Sequence, residues 1–472
     1  MTTQTTTRTT QSANVIIALL VCSAFVMILN ETIMSVALPV LITDLDVTAR
    51  TAQWLTSGFL LTMAVVIPMT GSLLQRFSVR GSFLSSMALF CTGTLVAALA
   101  PGFPVLLVGR IIQACGTAIM MPLLMTTVMS LIPPDRRGQT MGTITIVIAV
   151  APAIGPTLSG LILGSLDWRW MFGIVLPIAL AALAAGARWL RVEDEREQPN
   201  PIDPISVPLS AIAFAGLVFG LTLLGEPKRQ GLPAWVPMVV GAVAMVIFVA
   251  RQIHLQRHDR AFLDLRPFTY RRYSISLALV VLGFMGLFGA IIMGPLYVQD
   301  VLGRSALTAG LTSLPGGLLM GLAGPMVGRI YDRRGARILV VPGSVLLCAS
   351  LWGFTRLTAT SPLAELVVLQ TIMMVGLSMM FTPLMTDALG VLPDRLYSHG
   401  SAILTTLQQV GGAAGTALFV TVMAKASHSG GAADLPGVHA AYMVAAMISV
   451  VTVIGALFTG SRPTPAGGHP TH

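Results

Sequence analysis

GSLLQRFSVR at residues 71–80 and GRIYDRRGAR at residues 328–337 are one phrase written twice. Both read Gly, three residues, Gln or Asp, Arg, one residue, Ser or Gly, one residue, Arg. Upstream, LPVLITDL (38–45) returns as GPLYVQDV (294–301). Downstream, PLLMTTVMSLIPPDR (122–136) returns as PLMTDALGVLPDR (383–395). Three matches in one order and at nearly one offset point to a duplicated chain.

What is duplicated follows from composition. The 472 residues are 54% hydrophobic and only 10% charged, with a mean hydropathy of +0.82. A soluble domain carries about 25% charged residues, so this is the composition of a polytopic membrane protein. The apolar runs are about 20 residues long, too long for the roughly 10-residue alternating strands of an outer-membrane barrel. Runs able to cross a ~30 Å core begin near residues 14, 51, 82, 104, 139, 168, 205, 233, 274, 308, 337, 362, 401 and 437. The expected fold is therefore an all-α integral membrane protein with fourteen transmembrane helices. It reads as a six-helix bundle over 14–190, two inserted helices over 205–253, and a second six-helix bundle over 274–460. Parallel halves of this kind bind substrate between them near the midplane.

The net charge of +9 would suggest nucleic acid in a soluble protein. Here the positive-inside rule explains it better. Of the 28 basic residues, twenty fall in one set of loops and tails, seven in the other, and Arg110 within a span. That bias predicts both termini on the cytoplasmic side of a cell inner membrane. Cys22, Cys91, Cys115 and Cys348 all lie in apolar runs, which argues against disulfides. The polar N-terminal stretch leads into an apolar run too long for a signal-peptide core, so helix 1 reads as retained. The seven histidines show no metal-binding spacing, and no nucleophile or metal constellation suggests an enzyme.

The duplicated halves and the Gly-x3-Asp-Arg-x-Gly-x-Arg element resemble the major facilitator superfamily. Fourteen helices resemble its drug:proton antiporters of the EmrB/QacA type. The resemblance runs over about residues 14–460 and implies that both copies of the loop are gating elements, involving Gln75, Arg76, Arg80, Asp332, Arg333 and Arg337. In the first copy Gln75 stands where the family has Asp, and Ser78 where it has Gly. Gln offers no charge, so this latch should be the weaker; alternatively the arginines only set topology.

VLLVGRIIQACG (105–116) resembles the family's fourth-helix motif through Arg110 and Gln113. A guanidinium at the membrane centre costs about 2.5–3.5 kcal/mol on insertion scales, so it must face water or a partner. Its repeat mate is Gln370. APAIGPTLSG (151–160) resembles the fifth-helix antiporter motif at Gly155, Pro156 and Gly160, and Ala151, Gly155 and Ser159 make a small-residue stripe suited to close helix packing. FVMILNETIMSVALP (25–39) resembles the first-helix motif, with Asn30 at the family's Asp and Glu31 one residue later. One residue turns a helix by about 100°, so Glu31 does not simply replace that Asp.

Glu31 and Asp387 are the two acidic residues well within spans. Glu31 with Arg110 is the leading candidate for proton coupling; Asp387 is the alternative carrier, a counter-charge for cationic substrate, or a snorkelling carboxylate. Asn30, Gln113, Met121, Met125, Gln370 and Met380 are candidate substrate-cavity residues, the methionines offering soft, adaptable surface or plain core packing. No Walker A lysine is present: the contexts are EPKRQ and MAKAS. No cofactor is expected, and the proton gradient remains as energy source. A proton moved through about 150 mV supplies roughly 3.5 kcal/mol, enough for a gradient of a few hundredfold.

The expected function is proton-coupled antiport of amphipathic or cationic toxic compounds by alternating access. The alternatives are an exporter dedicated to one endogenous metabolite, antibiotic or lipid, and a membrane receptor on a transporter fold. Expected partners are small molecules, protons and lipid, with no nucleic acid, and a monomer is the expected state. The two inserted helices read as peripheral packing.

Overall fold

The computed structural model describes residues 3–190, 203–224, 233–427 and 434–460. Over these residues the chain is helical throughout, with fourteen helices long and apolar enough to span a bilayer. The first group is α1 (Thr3–Asp44), α2 (Ala49–Arg76), α3 (Val79–Ala98), α4 (Phe103–Leu131), α5 (Arg137–Leu163) and α6 (Trp170–Trp189). The insert is α7 (Ser206–Leu224) and α8 (Trp235–Gln256). The last group is α9 (Arg271–Leu296), α10 (Ala306–Arg334), α11 (Arg337–Phe354), α12 (Leu363–Gly390), α13 (Tyr397–Ala426) and α14 (Leu435–Ala456). Glu226, Lys228 and Arg229, in the loop between α7 and α8, lie outside the described residues.

Local chemistry sets the ends. Thr48, Ser78, Ser305 and Asp434 each accept a backbone N–H in the first turn of the following helix. After α10 the chain reverses at Gly335, whose φ of 81° lies in the left-handed region that glycine adopts without strain. Both repeated loops fall at one end of the bundle, with Arg76, Arg80, Arg333, Arg334 and Arg337. This is the arginine-rich end.

The halves meet along two seams, α5 on α10 and α2 on α13, with α4 also touching α13 and α12 touching α5. At the arginine-rich end the α5–α10 seam brings backbone to backbone. A Cβ on Gly142 would stand 2.2 Å from the Gly324 carbonyl oxygen, and a Cβ on Gly138 2.6 Å from that of Gly328. Further along, Ala149 and Ala153 face Gly317. At the other end of the same two helices, Gly160 and Gly310 have nothing within 4 Å of a Cβ position. The helices thus close at the arginine-rich end and part at the opposite one.

Candidate functional site

Hydrogen bonds between the halves follow the same division. Among the described residues they run from the middle of the bundle to the arginine-rich end. Thr145 pairs with Thr382 at 2.7 Å, and Thr126 with Ser401 at 2.7 Å. Arg137 donates to the Tyr397 hydroxyl at 3.2 Å. Gln409 donates to the Met63 sulfur at 3.9 Å, and Thr405 to that of Met125 at 4.0 Å.

The two repeated loops complete this seal in different ways. Asp332, at the last turn of α10, accepts the backbone N–H groups of Gly138 at 2.7 Å and Gln139 at 2.8 Å. These belong to the first turn of α5, so the carboxylate caps a helix of the other half, where orphan donors and the helix dipole favour negative charge. Gln75, at the end of α2, donates to the Arg395 carbonyl oxygen at 3.1 Å, just before α13. Arg80 donates to the Ala187 carbonyl oxygen at 2.8 Å, tying α3 to α6 within one half.

Beyond the seal, toward the open end, stands the Glu31–Arg110 region. Arg110 is fully buried on α4. Its Nη1 donates to Gln113 Oε1 at 3.1 Å, and Gln113 in turn donates to Thr94 Oγ1 of α3 at 2.8 Å. The guanidinium lies 4.2 Å from the Phe59 ring centroid on α2, a cation–π contact. Among the described residues, Arg110 Nε has no hydrogen-bond partner. Glu31 on α1 is half-buried, and α1 packs on α4, which carries Arg110. Asn30, next to Glu31, is buried with its Nδ2 unpartnered. An unsatisfied buried donor costs about 1–3 kcal/mol, so Arg110 Nε and Asn30 Nδ2 are both poised to meet an acceptor.

The fifth-helix motif positions this region. A Cβ on Gly155 would stand 2.2 Å from Thr32 Oγ1, so the missing side chain is what lets α1 approach α5 one residue from Glu31. Thr32 also donates to the Ala151 carbonyl oxygen at 3.4 Å. Ser159 donates to the Met171 sulfur of α6 at 3.7 Å. The stripe thus packs within its own half. Gly160 is exposed, and the side chain of Pro156 lies outside the described residues.

The remaining candidates are scattered. Gln370 is buried, donates to Ser313 Oγ at 3.1 Å and leaves its Oε1 unpartnered. Met125 sits on the seam beside Thr405. Met121 is buried in the core of α4. Met380 is buried with its Cγ beside Gly343, on the α11 side of α12. Asp387 is buried near the sealed end; its Oδ2 accepts from Ser276 at 3.3 Å, and its Oδ1 has no hydrogen-bond partner among the described residues. It is enclosed rather than reaching for the membrane surface.

Sequence reasoning passed over Phe59, the Thr145–Thr382 pair and the glycines of the α5–α10 seam. Their signal was present for the glycines alone. Gly317, Gly321, Gly324 and Gly328 recur every three or four residues on one face of α10.

Comparison with known proteins gives one answer. The family model of the Major Facilitator Superfamily matches residues 20–416. The chain is 38% identical over 476 residues to the lincomycin resistance protein LmrB of Bacillus subtilis (strain 168), covering 96% of this chain and 98% of that one. It is 30% identical to a multidrug resistance protein B homolog of Mycobacterium tuberculosis (strain ATCC 25618 / H37Rv), covering 84% and 73%. Among solved structures, the human organic anion transporter MFSD10 (TETRAN) superposes with a TM-score of 0.66 at 16% identity, covering 94% of this chain and 99% of that one.

Proposed function

Because this chain belongs to the Major Facilitator Superfamily, we propose that it exports amphipathic or cationic toxic compounds by proton-coupled antiport. The observation that carries the reading is the half-buried Glu31 carboxylate, on the open side of the seal and on α1, which packs against the α4 helix that holds the buried Arg110. A carboxylate whose hydration and distance from a cation change with conformation takes up and releases a proton as the gates alternate. The names of relatives, lincomycin resistance and multidrug resistance, support a xenobiotic substrate. The chain's own chemistry supports an amphipathic one: methionine-rich α4 and α12 with a few unpartnered polar atoms.

The arginine-rich end is assigned to the cytoplasm of an inner membrane by the positive-inside rule, which makes the described state outward-facing. The gradient replaces any cofactor, and one chain contains both halves needed for the cycle. Asp387 is assigned to the sealed end, as a structural acceptor for Ser276 rather than the proton carrier.

The test is transport of a fluorescent cation such as ethidium in proteoliposomes under an imposed pH gradient. Glu31→Gln is expected to abolish gradient-driven transport and its linked proton movement while leaving dye exchange. Asp387→Asn is expected to keep both. Unchanged gradient-driven transport and proton movement in Glu31→Gln would rule out the assignment. Response to a single compound in a broad panel would replace the multidrug reading with a dedicated exporter.

A further inference from the structure

The α7–α8 hairpin does not simply fill space. Of its two helices, α7 lies against the bundle, touching α2 of the first half and α13 of the second; α8 packs on α7. The hairpin is itself tightly made. A Cβ on Gly216 would stand 2.8 Å from Gly241 Cα, and a Cβ on Gly220 2.9 Å from the Met238 nitrogen, so the two helices meet backbone to backbone. α7 therefore spans the α2–α13 seam, which alternating access requires to change.

Its attachments to the two halves differ in kind. Toward the second half they are polar and occur at both ends. At the open end Thr421 Oγ1 of α13 donates to the Leu224 carbonyl oxygen at 3.0 Å, the last residue of α7. At the arginine-rich end the hairpin is closed by Arg251, which donates to both oxygens of Asp203 at 2.6 and 2.7 Å. Gln252 then donates to Ser206 Oγ at 2.7 Å and accepts the backbone N–H of Leu263 at 3.1 Å. The next N–H, of Asp264, goes to Nδ1 of His399 in the first turn of α13, at 3.3 Å. Toward the first half, α7 packs along α2, with Phe219 stacked on Trp54 at 5.8 Å between ring centroids, and the side chain of Leu263 in the linker lies beside Gly71 of α2. Stacked rings tolerate sliding; directional hydrogen bonds at two ends do not.

We infer that the inserted hairpin moves as part of the second half and slides over α2 as the halves rock. It is a guard carried by one half that keeps the α2–α13 seam covered from the lipid in both states. The inference rests on the alternating-access reading given above.

The experiment places cysteine pairs in a chain whose Cys22, Cys91, Cys115 and Cys348 are replaced by Ala. One pair, Leu224→Cys with Thr421→Cys, joins α7 to α13; the other, Trp54→Cys with Phe219→Cys, joins α7 to α2. Each is closed with a short thiol-specific cross-linker, and ethidium transport is measured before and after. The α7–α13 link is expected to leave transport at the level of its uncross-linked parent; the α7–α2 link is expected to stop it. Loss of transport with the α7–α13 link, or full transport with the α7–α2 link, would overturn the assignment. Transport by the uncross-linked parents tests the export reading by itself. Spin-label distances for the same pairs, taken in acid and alkaline buffer, test the hairpin without substrate: a fixed α7–α13 distance beside a shifting α7–α2 distance is expected, and the reverse overturns it.

Discussion

Asp332 and Gln75 hold the same place in the two repeats, yet they close the same end of the protein with opposite polarity. Asp332 accepts two N–H groups at the start of α5, with its charge set against a helix dipole. Gln75 donates one hydrogen bond to a carbonyl oxygen before α13. The glycines beside them differ in the same sense. A Cβ on Gly328 would stand 1.9 Å from the Gly138 carbonyl oxygen, which is backbone and cannot give way. A Cβ on Gly71 would meet His399 Nδ1 at 2.7 Å, which is side chain. One seam is a charged cap on a backbone contact. At this end the other is a neutral bond beside the buried His399 ring, which also receives the linker from the inserted hairpin. The same place in the two repeats thus carries a charged contact in one copy and a neutral one in the other.

The comparison is broken most directly at the rigid seam. Gly328→Ala is expected to prevent closure of the arginine-rich end, with near-complete loss of transport and increased thiol labelling of cysteines placed there. Gly71→Ala, judged by the same labelling, is expected to cost far less. Next comes Asp332→Asn. Hydrogen bonds to a charged group contribute about 1.5–3 kcal/mol, so a shift of the gate equilibrium by roughly ten- to a hundredfold toward the opposite state is expected; labelling kinetics measure it. Thr382→Val removes one neutral bond to Thr145, worth about 1 kcal/mol, and should shift the same equilibrium several-fold. Gln75→Asp sharpens the contrast from the other side: it restores an acceptor near the start of α13, and a modest shift toward the closed arginine-rich end is expected.

The smallest effect concerns the hairpin anchor. Hydrogen bonds from Arg251, aided by two from Ser206, hold the Asp203 carboxyl well below the usual carboxylate range. A carboxyl depressed in the folded state stabilises fully above its unfolded pKa of about 3.9 and loses that contribution only as pH falls through the lower folded value. Hydrogen exchange of α7 and α8 should therefore be unaffected by this group between about pH 8 and about pH 5.

Much of this architecture was legible before any coordinates. The apolar runs are separated by polar loops, so fourteen helices followed directly. Arg110, Gln113 and Glu31 stood out because they are the wrong chemistry for lipid. What escaped depends on direction rather than composition. Asp332 reaches a helix of the other half 194 positions away, and nothing local says which helix start it caps. Glycine is common in membrane helices, so the α5–α10 seam was one glycine-rich face among several. Met380 illustrates the converse: its side chain lies on the α11 side of its helix, a matter of rotation that a count of methionines does not contain. His399 reads as a histidine at a span end; only the fold sets it between Gly71 and the linker.

Phe59, lying over Arg110, has a consequence for energy coupling. An aromatic face attracts a guanidinium with about 2 kcal/mol or more when water is excluded, and it does so at every pH. Gln113 is equally indifferent to protons. The buried charge thus has two neighbours that do not titrate, and in the proposed cycle a proton arriving at Glu31 would leave both contacts in place. The same two partners sit on α2 and α4, and α2 carries Gln75 at its far end. In the proposed cycle, a shift of α2 that releases Gln75 would also draw the ring from the guanidinium and leave the arginine in greater need of a carboxylate.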